Sequence, residues 1–288
     1  EAADSRRCAF DRHVKLLTGE DQRSHKGDAP SFALVDIPVA GQTLRLPDLP
    51  RYRKFYRKLA SGAWEPRTFG VLAANLDRST TYLDIGAWIG VTAFWASRLA
   101  KSVIAVEPDP CCREILRALS PLYSNVEVVE AAVSPETSVT IQSVSGFGSS
   151  ETSVLDIGDG ETITVPGISI DSLMARAGHG PVFVKIDIEG YEYAIPNEIG
   201  RLEDYRPRGV QCAVHPQLLE SSMKGPLPLR RLKVLFATIH LWRTLSRLAP
   251  RRSVPRYGGF LRYVLLGLLF RRTPKGTDFL FLRDSRRS

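Results

Sequence analysis

Two acids and a histidine stand where chemistry could be done. The apolar run PVFVKID, residues 181–187, leads into the block KIDIEG, and a second run, residues 209–214, ends at His215. Asp187, Glu189 and His215 therefore fall at or just beyond the ends of two expected strands. A carboxylate or imidazole within hydrogen-bond reach of a hydroxyl can take its proton while the oxygen attacks an electrophilic carbon. Oxygen and imidazole ligands would also suit a divalent ion, but no metal is assigned to them. Plainer roles stand beside these: Asp187 could pair with Lys185, Glu189 could be structural, and His215 could be a satisfied core residue.

The stretch TYLDIGAWIG, residues 81–90, supplies a partner for that chemistry. A strand over 82–85 runs into a glycine turn and then a helix over 91–100. In doubly wound sheets such a turn holds a nucleotide. The spacing is DxGxxxG, and Trp88 stands where a pyrophosphate-binding turn needs its middle glycine, so a phosphate-free nucleoside fits better. Asp84 would repel an anion and suits a cationic amino group. Glu107 ends the second strand, VIAVEPDP, 17 residues after Gly90, where a carboxylate can accept both ribose hydroxyls. Glu130 and Ala131 end the third strand and would border the adenine. Together these point to S-adenosylmethionine, with Ala87 and Asp109 in the same candidate set.

The flanking elements must position these groups. Strands over 102–106, 126–130, 181–187 and 209–214 alternate with helices over 110–119, 170–176 and 191–200, the last weakened or bent by Pro196. Alternation of this kind indicates βαβ units and a mostly parallel sheet with helices on both faces. SVTIQSV and ETITVPGISI alternate with period two and read as an antiparallel excursion. The glycine- and serine-rich loop between them has the character of a lid. Upstream, 32–46 suits two short strands turning at Ala40-Gly41, and 52–59 and 65–76 suit helices. A helix over about 228–248 and a closing strand, TDFLFLR, end the pattern.

LDIGAWIG, VIAVEPDP, NVEVVEAAVS, GFGSSETSV, VPGISIDSL and VFVKIDIEGYE follow in this order. Over roughly 60–220 the chain resembles the FkbM family of S-adenosylmethionine-dependent methyltransferases. The resemblance implies a seven-stranded Rossmann-like fold and O-methylation of a hydroxyl on a sugar, glycolipid or polyketide-like acceptor. It implies that Asp84, Gly86, Gly90 and Glu107 contact the cofactor, with Glu65 of SGAWEP near it. It divides the chain into a lead-in over 1–60 and a methyltransferase domain over 61–288. The chain departs from the family in two places. Ala213 replaces an acid before His215, which puts a Glu–His pairing in doubt. Trp88 replaces a common Asn; it could narrow the cofactor pocket or stack on a ligand, and is expected rather to pack on the following helix.

Charge is uneven along the 288 residues. Residues 224–288 carry 16 Lys+Arg against 2 Asp+Glu, a balance of +14, and residues 1–223 carry 23 against 29, a balance of −6, giving +8 overall. A basic tail of this kind suits an anionic partner. Leu229, Leu232, Leu235, Phe236, Ile239, Trp242 and Leu245 make one helical stripe, expected to pack on the sheet, although residues 228–272 also suit peripheral contact with an anionic membrane. Nucleic acid is the weaker choice, since charge appears without a recognition module. No apolar run of about 18 residues exists to span a bilayer, and EAADSRRCAF lacks the apolar core of a signal peptide. Four cysteines without a CxxC read as reduced thiols in a cytoplasmic protein, peripheral to the inner membrane face if the tail binds lipid. Two rivals stand beside the enzyme: a membrane-surface or glycolipid-binding protein on a degenerate methyltransferase scaffold, and a nicotinamide dehydrogenase, which Trp88 opposes.

Overall fold

The computed structural model describes residues 32–143, 146–149, 160–248 and 277–283. A hairpin of β1 (Leu34–Val39) and β2 (Gln42–Pro47) turns at Ala40-Gly41 and is followed by α1 (Arg53–Ala60) and α2 (Pro66–Asn75). Then come β3 (Thr81–Ile85), α3 (Val91–Ser97), β4 (Ser102–Val106), α4 (Pro110–Leu119) and β5 (Val126–Val129). The excursion is β6 (Ala132–Val133), β7 (Ser138–Ser143) and β8 (Glu161–Ile168). After α5 (Ile170–Ala177) and β9 (Val182–Ile186), the chain forms α6 (Pro196–Gly200), α7 (Leu202–Tyr205) and β10 (Gly209–Val214). It continues through α8 (Pro216–Ser222) and α9 (Leu227–Leu248) to β11 (Thr277–Leu282).

The main sheet has the order β11-β10-β9-β3-β4-β5. Every neighbouring pair is parallel except β10 with β11. Both faces are covered, as a parallel sheet requires. Alternate residues of each strand feed opposite cores. Tyr82, Val103, Ala105 and Phe183 join α3, α4, α1 and the β1–β2 hairpin on one side. Leu83, Ile85, Ile104, Val106, Val184 and Ile186 join α5, α6, α7 and α9 on the other. β3, β4 and β5 grow the sheet in one direction and β9 returns to the far side of β3. The crevice at this reversal is where doubly wound sheets take ligands.

The fold is the expected Rossmann-like α/β class, and four details change. Among the described residues the main sheet has six strands rather than seven. The helix expected over 191–200 is a single 3-10 turn at Tyr191–Tyr193 followed by α6, which starts at Pro196. Proline suits the first position of a helix, where its missing N–H is no loss, but not the interior. α9 buries Val234, Thr238, Leu241, Thr244, Leu245 and Leu248; of the expected stripe Leu245 is buried, Leu235 and Trp242 pack partly on the core, and Leu229, Leu232 and Phe236 are exposed. Cys111 is disulfide-bonded, against the expectation of reduced thiols, while Cys112 and Cys212 are free and buried. Among the described residues no helix is long and apolar enough to cross a membrane.

Candidate active site

A cavity of about 770 Å³ opens at the carboxyl ends of β3, β4 and β9. Its floor is the glycine turn after β3. Gly86 adopts φ +83, and a Cβ there would stand 1.9 Å from the carbonyl oxygen of Asp187. The two strands can approach this closely only without a side chain at 86. Gly86→Ala is therefore expected to destabilise the fold by about 3 kcal/mol, from left-handed strain and overpacking together. An unchanged urea midpoint would reject that account. Gly90, also at φ +83, lies under Phe94 and Leu116 and caps α3 without lining the cavity.

Glu107 is nearly buried and lines the cavity. Its Oε2 accepts the backbone N–H of Trp88 at 2.7 Å and its Oε1 that of Asp109 at 2.8 Å. Both oxygens are held in place from behind, and each carboxylate oxygen retains a second acceptor position. Burial pushes Glu107 up to about 8. Asp109 caps α4, accepting from Cys111 and Cys112, and its other oxygen accepts the N–H of Gly148 at 2.7 Å. It shapes the site without lining it. Ala87 and Ala131 line the cavity. Glu130 does not: its carboxylate takes three hydrogen bonds from Arg117, at 2.6, 2.7 and 2.9 Å.

Trp88 adopts φ +51. Its indole N–H reaches the carbonyl of Gly148 at 3.3 Å, and its ring meets Tyr52 and Phe55 edge-on at 5.7 and 4.7 Å. The tryptophan thus joins the turn to the segment around α1 and packs against the core that α3 shares. Tyr52 also donates to Gly148 O at 2.7 Å and Arg51 to Phe147 O at 3.0 Å. The part of the expected lid at 146–149 is anchored; 145 and 150–159 lie outside the described residues.

The other end of the cavity carries the charges. Lys185 is buried, 3.1 Å from Asp187 Oδ2 and 3.6 Å from Asp84 Oδ1. Asp84 is fully buried behind the lining, and its Oδ2 accepts from Thr92 at 2.6 Å. His215 Nε2 lies 3.7 Å from both Asp187 Oδ1 and Glu189 Oε2. One ligand atom from each of these three residues lies within 4.8 Å of the others, a set that could hold a divalent ion. Behind the imidazole, Glu192 is fully buried. It accepts the backbone N–H groups of His215 at 2.8 Å and Gly190 at 2.9 Å and stands 3.5 Å from Nδ1. The acid missing at Ala213 is thus supplied by the YEY turn.

Burial pulls His215 down, but Glu192, Glu189 and Asp187 outweigh it and push it up to about 10. Burial opposes ionisation of Asp187 too, yet Lys185 and His215 hold it below the usual carboxylate range. Glu65 lines the cavity and is raised by burial to about 7. Glu65, Trp88 and Glu189 all line it with positive φ, three of only five such non-glycine residues among those described. Backbone strain is therefore concentrated around this cavity, as it is at functional sites.

A stability profile follows. Glu65 and Glu107 have raised folded-state values, so they bind protons on folding, and their contribution is lost as pH rises from about 4.5 through 7 and 8. His215 contributes fully below its ordinary 6.5 and loses that contribution as pH rises through about 10. Asp187, held low, titrates beneath this window. All three shifts have one sign, so the ligand-free protein should lose at least about 2 kcal/mol between pH 5 and 10. A flat series of denaturation midpoints would contradict it.

Glu192 and Trp64 carry no expectation from the sequence, and Lys185 only that of pairing with Asp187, which it does. Lys185 had a signal: a lone cation in an apolar strand, set beside Asp84 by the β3–β9 register. Glu192 had none beyond being a third acid in the block. Trp64 also lines the cavity, meeting Phe55 edge-on at 5.2 Å.

Residues 84–230 match the methyltransferase FkbM domain. The chain belongs to the FkbM methyltransferase family. No curated protein matches it. It is similar to the solved FkbM methyltransferase from Methylobacillus flagellatus KT, at 16% identity over 54% of this chain and 49% of that one, TM-score 0.32. It is similar to the 23S rRNA methyltransferase ErmE, at 15% over 54% and 48%, TM-score 0.31. It is also similar to the fibrillarin pre-rRNA processing protein of Methanococcus jannaschii, at 12% over 91% and 87%, TM-score 0.38. The chain spans about half the length of the first two.

Proposed function

We propose that this FkbM-family methyltransferase uses S-adenosylmethionine to methylate a hydroxyl on a sugar, glycolipid or polyketide-like small molecule. One observation carries the reading: a single cavity joins a ribose-suited carboxylate, Glu107, to an ionised carboxylate, Asp187. The lining suits the cofactor. Glu107 takes the ribose hydroxyls, Ala131 borders the base, and Trp88 crowds out a pyrophosphate. Glu65 and Asp187 suit its positive centres, and Lys54 or Lys58, both lining the cavity, suits its carboxylate. When bound, it supplies an electrophilic methyl whose bond to sulfur breaks, with its electron pair, as an oxygen attacks.

Between Asp187 and His215, charge state favours Asp187 as the proton acceptor. His215, at about 10, carries a proton at neutral pH and cannot take another. Asp187 is ionised there. A weak base suffices, because a hydroxyl becomes strongly acidic as its oxygen gains a methyl. Asp187 therefore receives the proton, and Lys185 and His215 hold it charged and oriented. Glu189 lines the cavity beside Asp187, 3.7 Å from His215 Nε2. Confinement of both reactants in one cavity adds the entropic part of the rate.

The test is calorimetric titration of the protein with S-adenosylhomocysteine and, in parallel, NAD. Micromolar binding of the first and none of the second supports the proposal. No binding to folded protein removes it, and tighter binding of NAD would return the site to hydride transfer.

A further inference from the structure

The outer face of α9 is not explained by the active site or by the core. Its buried seam is Val234, Thr238, Leu241, Thr244, Leu245 and Leu248, of which Leu241, Leu245 and Leu248 join the core on the sheet's second face. Directly opposite lie Leu229, Leu232 and Phe236, then Lys233, His240, Arg243 and Arg247, all exposed and within about 100° of arc on an ideal helix. Phe236 is 62% exposed, Leu229 49% and Leu232 47%. Four of the seven large hydrophobics exposed among the described residues fall within residues 227–236. An apolar patch so concentrated marks a contact surface rather than ordinary surface scatter.

Charge identifies the partner. Residues 227–248 contain no Asp or Glu, and five Lys and Arg. Arg243 and Arg247 share the outer face with the apolar groups. Apolar side chains flanked by unopposed cations fit the boundary of an anionic bilayer, where the rings and methyls enter the acyl edge and the cations meet lipid phosphates. A protein partner would more commonly be matched by mixed charges at the rim. We propose that the outer face of α9 is a docking surface for an anionic lipid bilayer. This stands apart from the proposed chemistry and would survive its failure.

The test is flotation of the full chain with vesicles of phosphatidylcholine alone and of phosphatidylcholine with phosphatidylglycerol. Binding should need the anionic lipid and weaken as salt rises. The triple variant Leu229→Ser, Leu232→Ser, Phe236→Ser should bind at least tenfold more weakly with an unchanged melting curve, because none of the three is in the core. Arg243→Gln with Arg247→Gln should weaken binding severalfold and reduce the salt dependence. No flotation of the wild type would overturn the proposal. So would equal flotation of the triple variant, or equal binding to neutral vesicles. Concentration-dependent dimerisation without flotation, lost in the triple variant, would reassign the face to a second copy of the chain. Retention by a single-stranded RNA without flotation would reassign it to nucleic acid.

Discussion

Glu107→Ala should weaken S-adenosylhomocysteine binding about 100-fold. A carboxylate accepting two ribose hydroxyls makes two charge-assisted hydrogen bonds, each about 1.5 kcal/mol at the low end, or about 3 kcal/mol together. Isothermal calorimetry reads this directly. Glu107 also holds the N–H groups of Trp88 and Asp109, so the alanine variant must be shown to melt cooperatively before its affinity is interpreted. Glu107→Gln supplies the sharper control. Wild-type binding requires an ionised Glu107, which burial has raised to about 8, so binding should release a proton near neutral pH. Affinity should therefore climb from about pH 6 to 9, and the glutamine variant should lose the part of that slope centred near 8, keeping only the part that Glu65 gives near 7. A slope near 8 that persists would place the ribose elsewhere.

Asp187→Asn should lower methyl transfer by about 10²–10⁴-fold, the usual worth of a positioned proton acceptor. Asparagine keeps an oxygen for Lys185 but loses the charge, so S-adenosylhomocysteine affinity should stay within about threefold. His215→Gln should cost less, since it removes a cation that orients Asp187 rather than the acceptor itself. If His215→Gln abolished transfer and Asp187→Asn did not, the two roles would be exchanged. Glu192→Gln gives a readout independent of any acceptor molecule. Of the carboxylates around His215, Glu192 raises it most, so the variant should bring the imidazole down from about 10, as NMR titration would show. An unmoved titration would mean that Glu192 serves only the two backbone amides it accepts.

The sheet and the glycine turn were legible because their signals are local. Alternate side chains of β3, β4 and β9 serve two different cores, so these strands read as largely apolar runs, with Asp84 and Lys185 as the charged exceptions. Tight turns demand glycine where the chain closes on itself, and Gly86 does so against Asp187. Glu107 was legible because the strand-end position is a property of the fold class. The boundaries of α6 were less so, since a proline can bend a helix or begin one.

Determined by the sequence alone were the strand–helix alternation, the glycine turn after β3, the acid at the second strand's end and the basic character of the tail. Each is a local or compositional property of the chain. Only the tertiary structure decided which acids line the cavity. Glu130 sits one residue before Ala131, yet Arg117 draws its carboxylate away from the cavity. Lys185 meets Asp84 through strand register, and His215 meets Glu192 across 23 residues of chain. The same holds for α9. It carries apolar residues on more than one side, and the face that is buried was settled by the neighbours it packs against. Periodicity reports that a helix has an apolar side. Where two sides qualify, packing makes the choice.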